Sequence, residues 1–369
     1  MRNLVGVFAL GCLGALVVLA PAGAATSNPW RLSPTPGPRA AGSDIGDRLY
    51  GVAADSPTDA WAVGNNGLNS LILHWNGVKW ATSLSGNPEV SGGDLLSVAA
   101  LTPNNVWAAG EVLEHWNGST WTRSPLPTRG GRVMTGLSGH AGTGVWGVDY
   151  EGNLYRLTET GWKQVYAAPA SLSSSGNPGV VAFSPTNVWV EANTKKSNDE
   201  EIPQVLHWDG TRMHVHALPT TTGDFGAGPD AIGGTSGSDV WVVGSQIAHT
   251  PLSEPAPYAA HWNGATWTLR QTPPHLGVTH ELFGVAANSP SEVWAVGDRT
   301  GATSQNDDLL EDEWTGSGWT EWGGPNPESL RVNDLRAVAS VPGTSQAWAV
   351  GSHLLASGKS HTLIVHCCE

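Results

Sequence analysis

Four charged residues stand at one position of a recurring pattern: Arg48, Asp94, Glu281 and Asp334 each precede a leucine that opens a run of small apolar residues. Carboxyl groups gathered round a common mouth could serve as general acid and base if burial split their pKa values. The same ring of mixed charge could grip a polar or cationic ligand. The plainer reading, and the favoured one, is polar residues at strand starts that satisfy free backbone groups. His280 adjoins Glu281 and, with His275, lies on a connector that could reach the same mouth. Arg48, Asp94, His280, Glu281 and Asp334 form the candidate ligand-binding set.

A second group is acidic. Asn306-Asp307-Asp308 is followed by Glu311, Asp312 and Glu313, and oxygen-rich clusters can hold calcium, here through Asp307, Asp308 and Glu311. Calcium is the one cofactor the sequence raises, and because the spacing departs from an Asp-x-Asp-x-Asp-Gly loop a solvated acidic loop is the favoured reading. Asn198-Asp199-Glu200-Glu201, after Lys195-Lys196, reads as a charged loop. His74, His115, His207, His261 and His366 all fall at one repeat position. Separate units hold them apart, so they cannot converge on one ion. Packing, with a hydrogen bond to a neighbouring unit, is their expected role. His214 and His216 alternate on one strand.

The elements that must position these groups are repeats. Trp61, Trp107, Trp146, Trp189, Trp241, Trp294 and Trp348 each end a short apolar run, at spacings of 46, 39, 43, 52, 53 and 54. Roughly 40 to 50 residues suit one four-stranded propeller blade. The cleanest copies begin with small-residue strands, as in Leu49 to Ala54 and Leu282 to Ala287, suited to the crowded axis of a propeller. A tight turn follows, such as Ser56-Pro57-Thr58-Asp59, in which proline presets φ and a short polar side chain offers a local acceptor. A Trp-bearing strand comes next (Ala60 to Gly64, Val293 to Gly297), then a hairpin such as His74-Trp75-Asn76-Gly77-Val78-Lys79-Trp80. Asn-Gly tolerates the positive φ that a tight hairpin demands. Each unit supplies four strands, and stacking the units radially buries the indoles.

The last unit lacks its fourth strand, because the chain stops at Cys367-Cys368-Glu369. Trp30 to Pro36 matches the fourth strand of unit five, Trp267 to Pro274, and is expected to close the ring. The fold class is therefore all-β: a seven-bladed β-propeller with four-stranded antiparallel blades, the N-terminal strand completing the last. Residues 1–24 read as a secretory signal peptide, with Met1-Arg2-Asn3 positive, Leu4 to Ala20 apolar and Ala22-Gly23-Ala24 as the cleavage site. Cys12 lies too deep in the apolar run for a lipoprotein anchor. Residues 25–369 form the propeller, expected to be secreted, extracellular and monomeric, with no transmembrane segment.

The composition fits an exported β domain: 19 Trp against 4 Phe and 5 Tyr, and only 14% charged residues. A net charge of −14 argues against nucleic acid and anionic membrane partners. Only Cys367 and Cys368 remain after signal removal, so disulfides do not hold this fold together.

The D-x-W-A-V-G and H-W-N-G-x-x-W units resemble the Trp-rich repeats of secreted actinobacterial propellers. In layout they are similar to Asp-box propellers and to photosystem assembly-factor-like propellers, with Asn where the Asp-box has Asp in most hairpins. The resemblance covers nearly the whole mature chain. It implies a propeller scaffold of a kind often used for protein or glycan binding.

Function should lie where the repeat breaks its rules. From the Trp of the second strand to the aromatic of the third is 9 residues in units two and three, but 19, 21 and 20 in units four to six. Long loops would form a wall and short ones a shelf, and variable loops on rigid scaffolds carry binding. A sialidase site would need a converging arginine cluster and a tyrosine, and a copper oxidase a Tyr-Cys pair with two axial histidines. Neither set is present in the sequence. The leading expectation is a non-catalytic binding propeller whose long-loop face engages a glycan or protein. The alternative is a carbohydrate-active hydrolase or lyase using Asp94, Glu281 and Asp334.

Overall fold

The computed structural model describes residues 28–36, 46–67, 69–86, 93–128, 130–170, 172–173, 177–195, 201–220, 224–248, 255–272, 279–300, 307–327, 332–355 and 358–368. Residues 1–24, read from the sequence as a signal peptide, and His275, Asn306 and the Asn198 to Glu200 run lie outside them. Among the described residues, every regular element is a β-strand, and the strands form seven antiparallel sheets, their strands in sequence order except that Leu172–Ser173 pairs with Asn187–Lys195 in the fourth and Arg31–Leu32 joins the outer edge of the last. Blades 1 to 6 span 47–83, 95–124, 134–166, 180–217, 224–269 and 279–321, and blade 7 combines 333–367 with Arg31–Leu32. Each inner strand touches that of the next blade, and blade 7 touches blade 1, so the array is a closed seven-bladed propeller.

Closure works as the repeat implies. Arg31 and Leu32 pair with His366 and Val365 of the last strand, and the Ser33 N–H continues the ladder to the Ile364 carbonyl. The preceding Trp30 is 1% exposed and meets Trp294 of blade 6 edge-on at 5.1 Å. The fourth-strand indoles Trp80, Trp121, Trp162, Trp267 and Trp319 do the same against the preceding blade, at 5.1 to 5.9 Å from Trp348, Trp61, Trp107, Trp189 and Trp241. A sheet with one apolar stripe per face gains its stability by this interleaving, and edge-to-face indole pairs add to the area term.

The repeated histidines have a different partner from the one expected. Within its own blade each of four stacks on the second-strand indole, at 4.0 Å for Trp61–His74 and Trp189–His207 and 4.3 Å for Trp107–His115 and Trp241–His261, whereas His366 lies tilted at 5.2 Å from Trp348. In these four, Nε2 then meets the Asp or Asn that opens the second strand: Asp59 at 2.5 Å, Asn105 at 3.0 Å, Asn187 at 3.2 Å and Asp239 at 2.7 Å. The bond stays inside the blade because the second and third strands are direct neighbours, with Trp61 opposite His74 and Trp241 opposite His261. Burial pushes Asp239 upward, but hydrogen bonds from His261 and Thr235 outweigh it and leave the carboxyl below its usual range. A depressed carboxyl contributes stability that is present above the ordinary carboxylate pKa and lost as pH falls through the folded one. His261→Leu should therefore cost about 1–2 kcal/mol near neutrality and shrink the acid-side loss, measured as urea midpoints from pH 3 to 7.

Two further expectations need restating. In the hairpins, glycine alone takes the positive φ (+85° at Gly77, +94° at Gly118, +91° at Gly264). The asparagine instead turns its Oδ1 to the two N–H groups beyond the glycine, as Asn76 does for Val78 and Lys79. The long loops of units four to six are largely strand: Asn187–Lys195 with Glu201–Trp208, Asp239–Ala248 with Ala256–Trp262, and Glu292–Thr300 with Asp307–Trp314. Backbone groups so far above the sheet are satisfied most simply by pairing with each other. The wall is therefore a row of projecting hairpins. Blades 2 and 3 stay low, with second strands ending at Gly110 and Asp149.

Candidate functional site

Six of the seven inner strands share one irregularity. After Leu49, Leu95, Met134, Pro229, Leu282 and Leu335 the pairing register slips by one residue. A bulge opposes two residues to one and re-aims the extra side chain. The extra residues are Tyr50, Leu96, Thr135, Asp230, Phe283 and Arg336, and all six line an axial chamber of about 420 Å³. A small residue follows each (Gly51, Ser97, Gly136, Ala231, Gly284, Ala337), the local signal that could have marked the bulge in the sequence. Val52, Val98, Leu137, Val180, Ile232, Val285 and Val338, each 6–9% exposed, form the chamber floor.

Arg48, Glu281 and Asp334 lie within the inner strands rather than before them, and Asp94 directly precedes one. The residues lining the chamber stand two positions further on. Arg48 is exposed. Asp94 accepts from Asn65 Nδ2 at 3.0 Å, and the same amide reaches the Tyr50 hydroxyl at 3.4 Å. His280 is 1% exposed, so its ring is shut away from the chamber, and its backbone N–H bonds the Pro255 carbonyl. Glu281 and Asp334, by contrast, join a charged group that the sequence does not announce.

Arg336 is its centre. Its Nε donates to Asp334 Oδ2 at 2.7 Å, and its guanidinium lies 4.2 Å from the centre of the Phe283 ring. Asp334, 7% exposed, also accepts from the Ser352 N–H and hydroxyl at 2.9 and 2.8 Å. Burial, and then Glu281, push Asp230 up to about 7 against the pull of Arg336. Burial likewise takes Asp298 to about 7, with Arg336 opposing and Glu281, Asp307 and Asp334 adding to the rise. Behind the chamber wall, Glu191 accepts the Gly179 N–H at 2.8 Å, and burial raises it to about 8, with Asp230 contributing. These carboxyls come from blades 4 to 7, the arc of tall hairpins. The arc of blades 1 to 3 presents Tyr50, Leu96 and Thr135.

The calcium expectation meets a different geometry. Asp307, Asp308 and Glu311 lie on one strand, Asp307–Trp314, rather than a loop. Alternation along a strand turns Asp308 away from the face that holds Asp307 and Glu311. Asp307 accepts from the Thr300 hydroxyl at 2.6 Å, Asp308 stands 3.6 Å from Arg299, and Glu311 is fully buried. Among the described residues no group of three or more His, Cys, Asp or Glu side chains is arranged to hold a metal ion.

A wider chamber of about 630 Å³ opens on the opposite face, between Asp55, Leu101, His140, Phe183, Thr235 and Asn288. It has one raised acid, Asp55, pushed to about 6 by burial and by Asp59. At the chain end Cys367 and Cys368 form a disulfide, and Cys367 opposes Ala347 as Trp75 opposes Ala60.

No protein-family model matches the chain, and no curated protein matches it in sequence. Solved propellers do. The structure titled YCF48 bound to D1 peptide superposes with a TM-score of 0.58 at 16% identity, over 94% of this chain and 99% of that one. The GH74 xyloglucanase from Xanthomonas campestris gives 0.57 at 14% identity, over 90% of this chain and 55% of that one. The WD40 repeats of RRP9 give 0.56 at 9% identity, over 92% and 97%. These likenesses establish the β-propeller fold.

Proposed function

We propose that this chain is a secreted, monomeric binding propeller of the actinobacterial Trp-rich type, which takes a segment of a protein partner across its tall-hairpin face. The observation that carries this reading is the lopsided upper rim. Hairpins of blades 4 to 6 stand beside low blades 2 and 3, and the bulge residues open between them into a 420 Å³ chamber. Concave sites with an apolar floor and a few convergent polar groups are where ligands settle on rigid scaffolds. The peptide bound to the YCF48 propeller supports a peptide ligand here. The test is binding of residues 25–369 to peptide and glycan arrays, repeated with Tyr50→Ala and Phe283→Ala. Peptide hits weakened about tenfold or more by both variants are the expected result. Hits on glycans alone, or hits indifferent to both variants, would move the site or its ligand.

One observation favours a second reading, a carbohydrate-active hydrolase. Asp230 and Asp298 are both held near 7, in the range of a working general acid, and carboxyl pairs do this chemistry in glycoside hydrolases. The xyloglucanase likeness points the same way. Turnover on a polysaccharide panel, abolished by Asp298→Asn, would establish it. Hydrolysis absent from the panel would leave the binding reading alone.

A further inference from the structure

The lower chamber, on the face opposite the tall hairpins, is built from one position of the repeat. Six residues before the second-strand tryptophan stand Asp55, Leu101, His140, Phe183, Thr235 and Asn288 in blades 1 to 6, and all of them line the chamber. Pro342 holds the same position in blade 7 and lines it too. The positions on either side are nearly uniform. Alanine or glycine comes before in blades 1 to 6, where the inner strands crowd the axis, and serine or threonine comes after in all of these but blade 3. That hydroxyl takes the N–H two residues on, as Ser56 does for Thr58 and Ser289 for Ser291. The fold thus fixes the neighbours and leaves the middle position open, and none of its seven side chains is buried. Unlike residues in a ring on a rigid frame are what specific recognition uses.

The ring divides by chemistry. Leu101, Phe183 and Pro342 are apolar, and Ala54, Ala100, Ala182 and Ala287 line the same space one step back along the inner strands. The polar members have spent their donors within the protein. Thr235 gives its hydroxyl proton to Asp239, and Asn288 gives its amide protons to Glu292 at 3.1 Å and the Ser345 carbonyl at 2.9 Å. His140 Nδ1 lies 3.1 Å from the Ala141 carbonyl and must carry a proton there, because a carbonyl only accepts. From this ring a guest therefore meets acceptors: the Asp55 carboxyl, His140 Nε2 and the Thr235 oxygen, on alternate blades 1, 3 and 5. No lysine or arginine lines the chamber, so an anion finds no counter-charge, and Asp55 is its single carboxyl, which leaves a cation unmatched by the other two acceptors.

We propose that the lower chamber is a saccharide site, which receives a neutral pyranose ring. Such a ring carries hydroxyl donors round its edge and C–H groups on its faces. It can therefore serve acceptors on three separate blades while a face rests on the alanines and against Leu101 or Phe183. The volume of about 630 Å³ suits a ligand of one or two sugar rings, within the roughly 300–1,000 Å³ of small-molecule sites. This site goes beyond the upper-face reading and does not depend on it. With both faces occupied, the chain would tether a protein partner to a polysaccharide.

The probes are cellobiose, xylobiose, maltose, lactose and mannobiose, each paired with its per-O-methylated form, which keeps every oxygen acceptor and loses the O–H donors. Binding to residues 25–369 is followed by methyl NMR of alanine, because Ala100 and Ala182 line the lower chamber and Ala231 and Ala337 the upper. The expected result is that at least one disaccharide shifts the Ala100 and Ala182 methyls and leaves Ala231 and Ala337 in place, and that methylation weakens it about tenfold or more. Phe183→Ala and Asp55→Ala should each weaken it about tenfold, with thermal melts separating lost folding from lost binding. Silence of Ala100 and Ala182 with every sugar, equal binding of the methylated forms, or shifts confined to Ala231 and Ala337 would overturn the assignment. Peptide binding that depends on Tyr50 and Phe283 would stand through any of those failures.

Discussion

Gly297→Ala should cost at least about 4 kcal/mol and leave little soluble protein, whereas Gly318→Ala should be close to neutral. The reason is contact with backbone rather than with yielding side chains. A Cβ at Gly297 would sit 1.8 Å from the Glu281 carbonyl oxygen and 3.0 Å from the Leu282 Cα, while one at Gly318 meets nothing within 4 Å. The same squeeze occurs at Gly64, Gly110, Gly244 and Gly351, each 1.9–2.0 Å from the carbonyl of the residue just before the bulge sequence or at its equivalent position. The glycine ending each W-A-V-G run therefore admits the inner strand at its bulge. Blade 4 has Ala192 here, and its inner strand begins only at Val180, while blade 3 has Asp149, which pairs with Met134 beside a bulge formed without the glycine. Urea unfolding of the two variants checks the contrast, and similar midpoints would mean that the inner strand can slide away at no cost.

The second large effect has the opposite sign. Glu311→Ile with Asp312→Leu should raise the thermal midpoint by several degrees at pH 7.5. Both carboxyls are fully buried and make no hydrogen bond among the described residues. Glu311 opposes Val296, where Ile72 opposes Val63 and Ile364 opposes Val350 in other blades. Asp312 opposes Ala295, as Leu73 opposes Ala62 and Val365 opposes Ala349. The two acids thus occupy apolar core positions on the two faces of blade 6. Burial pushes Asp312 to about 8, with Glu321 adding, and holds Glu311 well above its usual value, with Asp312 adding.

The sign follows from proton counts. A carboxyl raised in the folded state keeps a proton that the unfolded chain releases, so stability falls as pH climbs from the unfolded pKa toward the folded one. For Asp312 that interval runs from 3.8 to about 8, at about 1.4 kcal/mol per pH unit, on the order of 4 kcal/mol by pH 7. Unfolding midpoints from pH 5 to 8 should drop steeply in the parent and less in the double variant, because Glu191, Asp230 and Asp298 retain their share. An unchanged slope with a lower midpoint would show that the two carboxyls are satisfied within blade 6.

Much of the architecture could be read along the chain because its causes are local and repeated. A turn with a preset φ, an indole every fourth or fifth decade and an Asn-Gly hairpin are properties of short segments, and seven copies leave few ways to bury the indoles. Trp30 betrayed ring closure for the same reason: it is a fourth-strand indole without its own blade. The histidines were legible as repeated packing groups, but their partners were not, since the choice between a bond across the blade and one to the next blade depends on strand neighbours.

What only the tertiary structure decided is which side chains share space. Asp230, Asp298 and Glu191 occupy different positions of the repeat and come from blades 4 to 6, so no spacing rule links them to Glu281, Asp334 and Arg336. Closure of the ring brings those strands to one axis, and the bulges turn the residue after each leucine, not the one before it, toward the chamber. By itself the chain determined a wheel of seven sheets, through steric and apolar preferences that act over a few residues. The charged mouth at its hub needed the assembled ring, because carboxyl groups interact through space and burial rather than along the sequence.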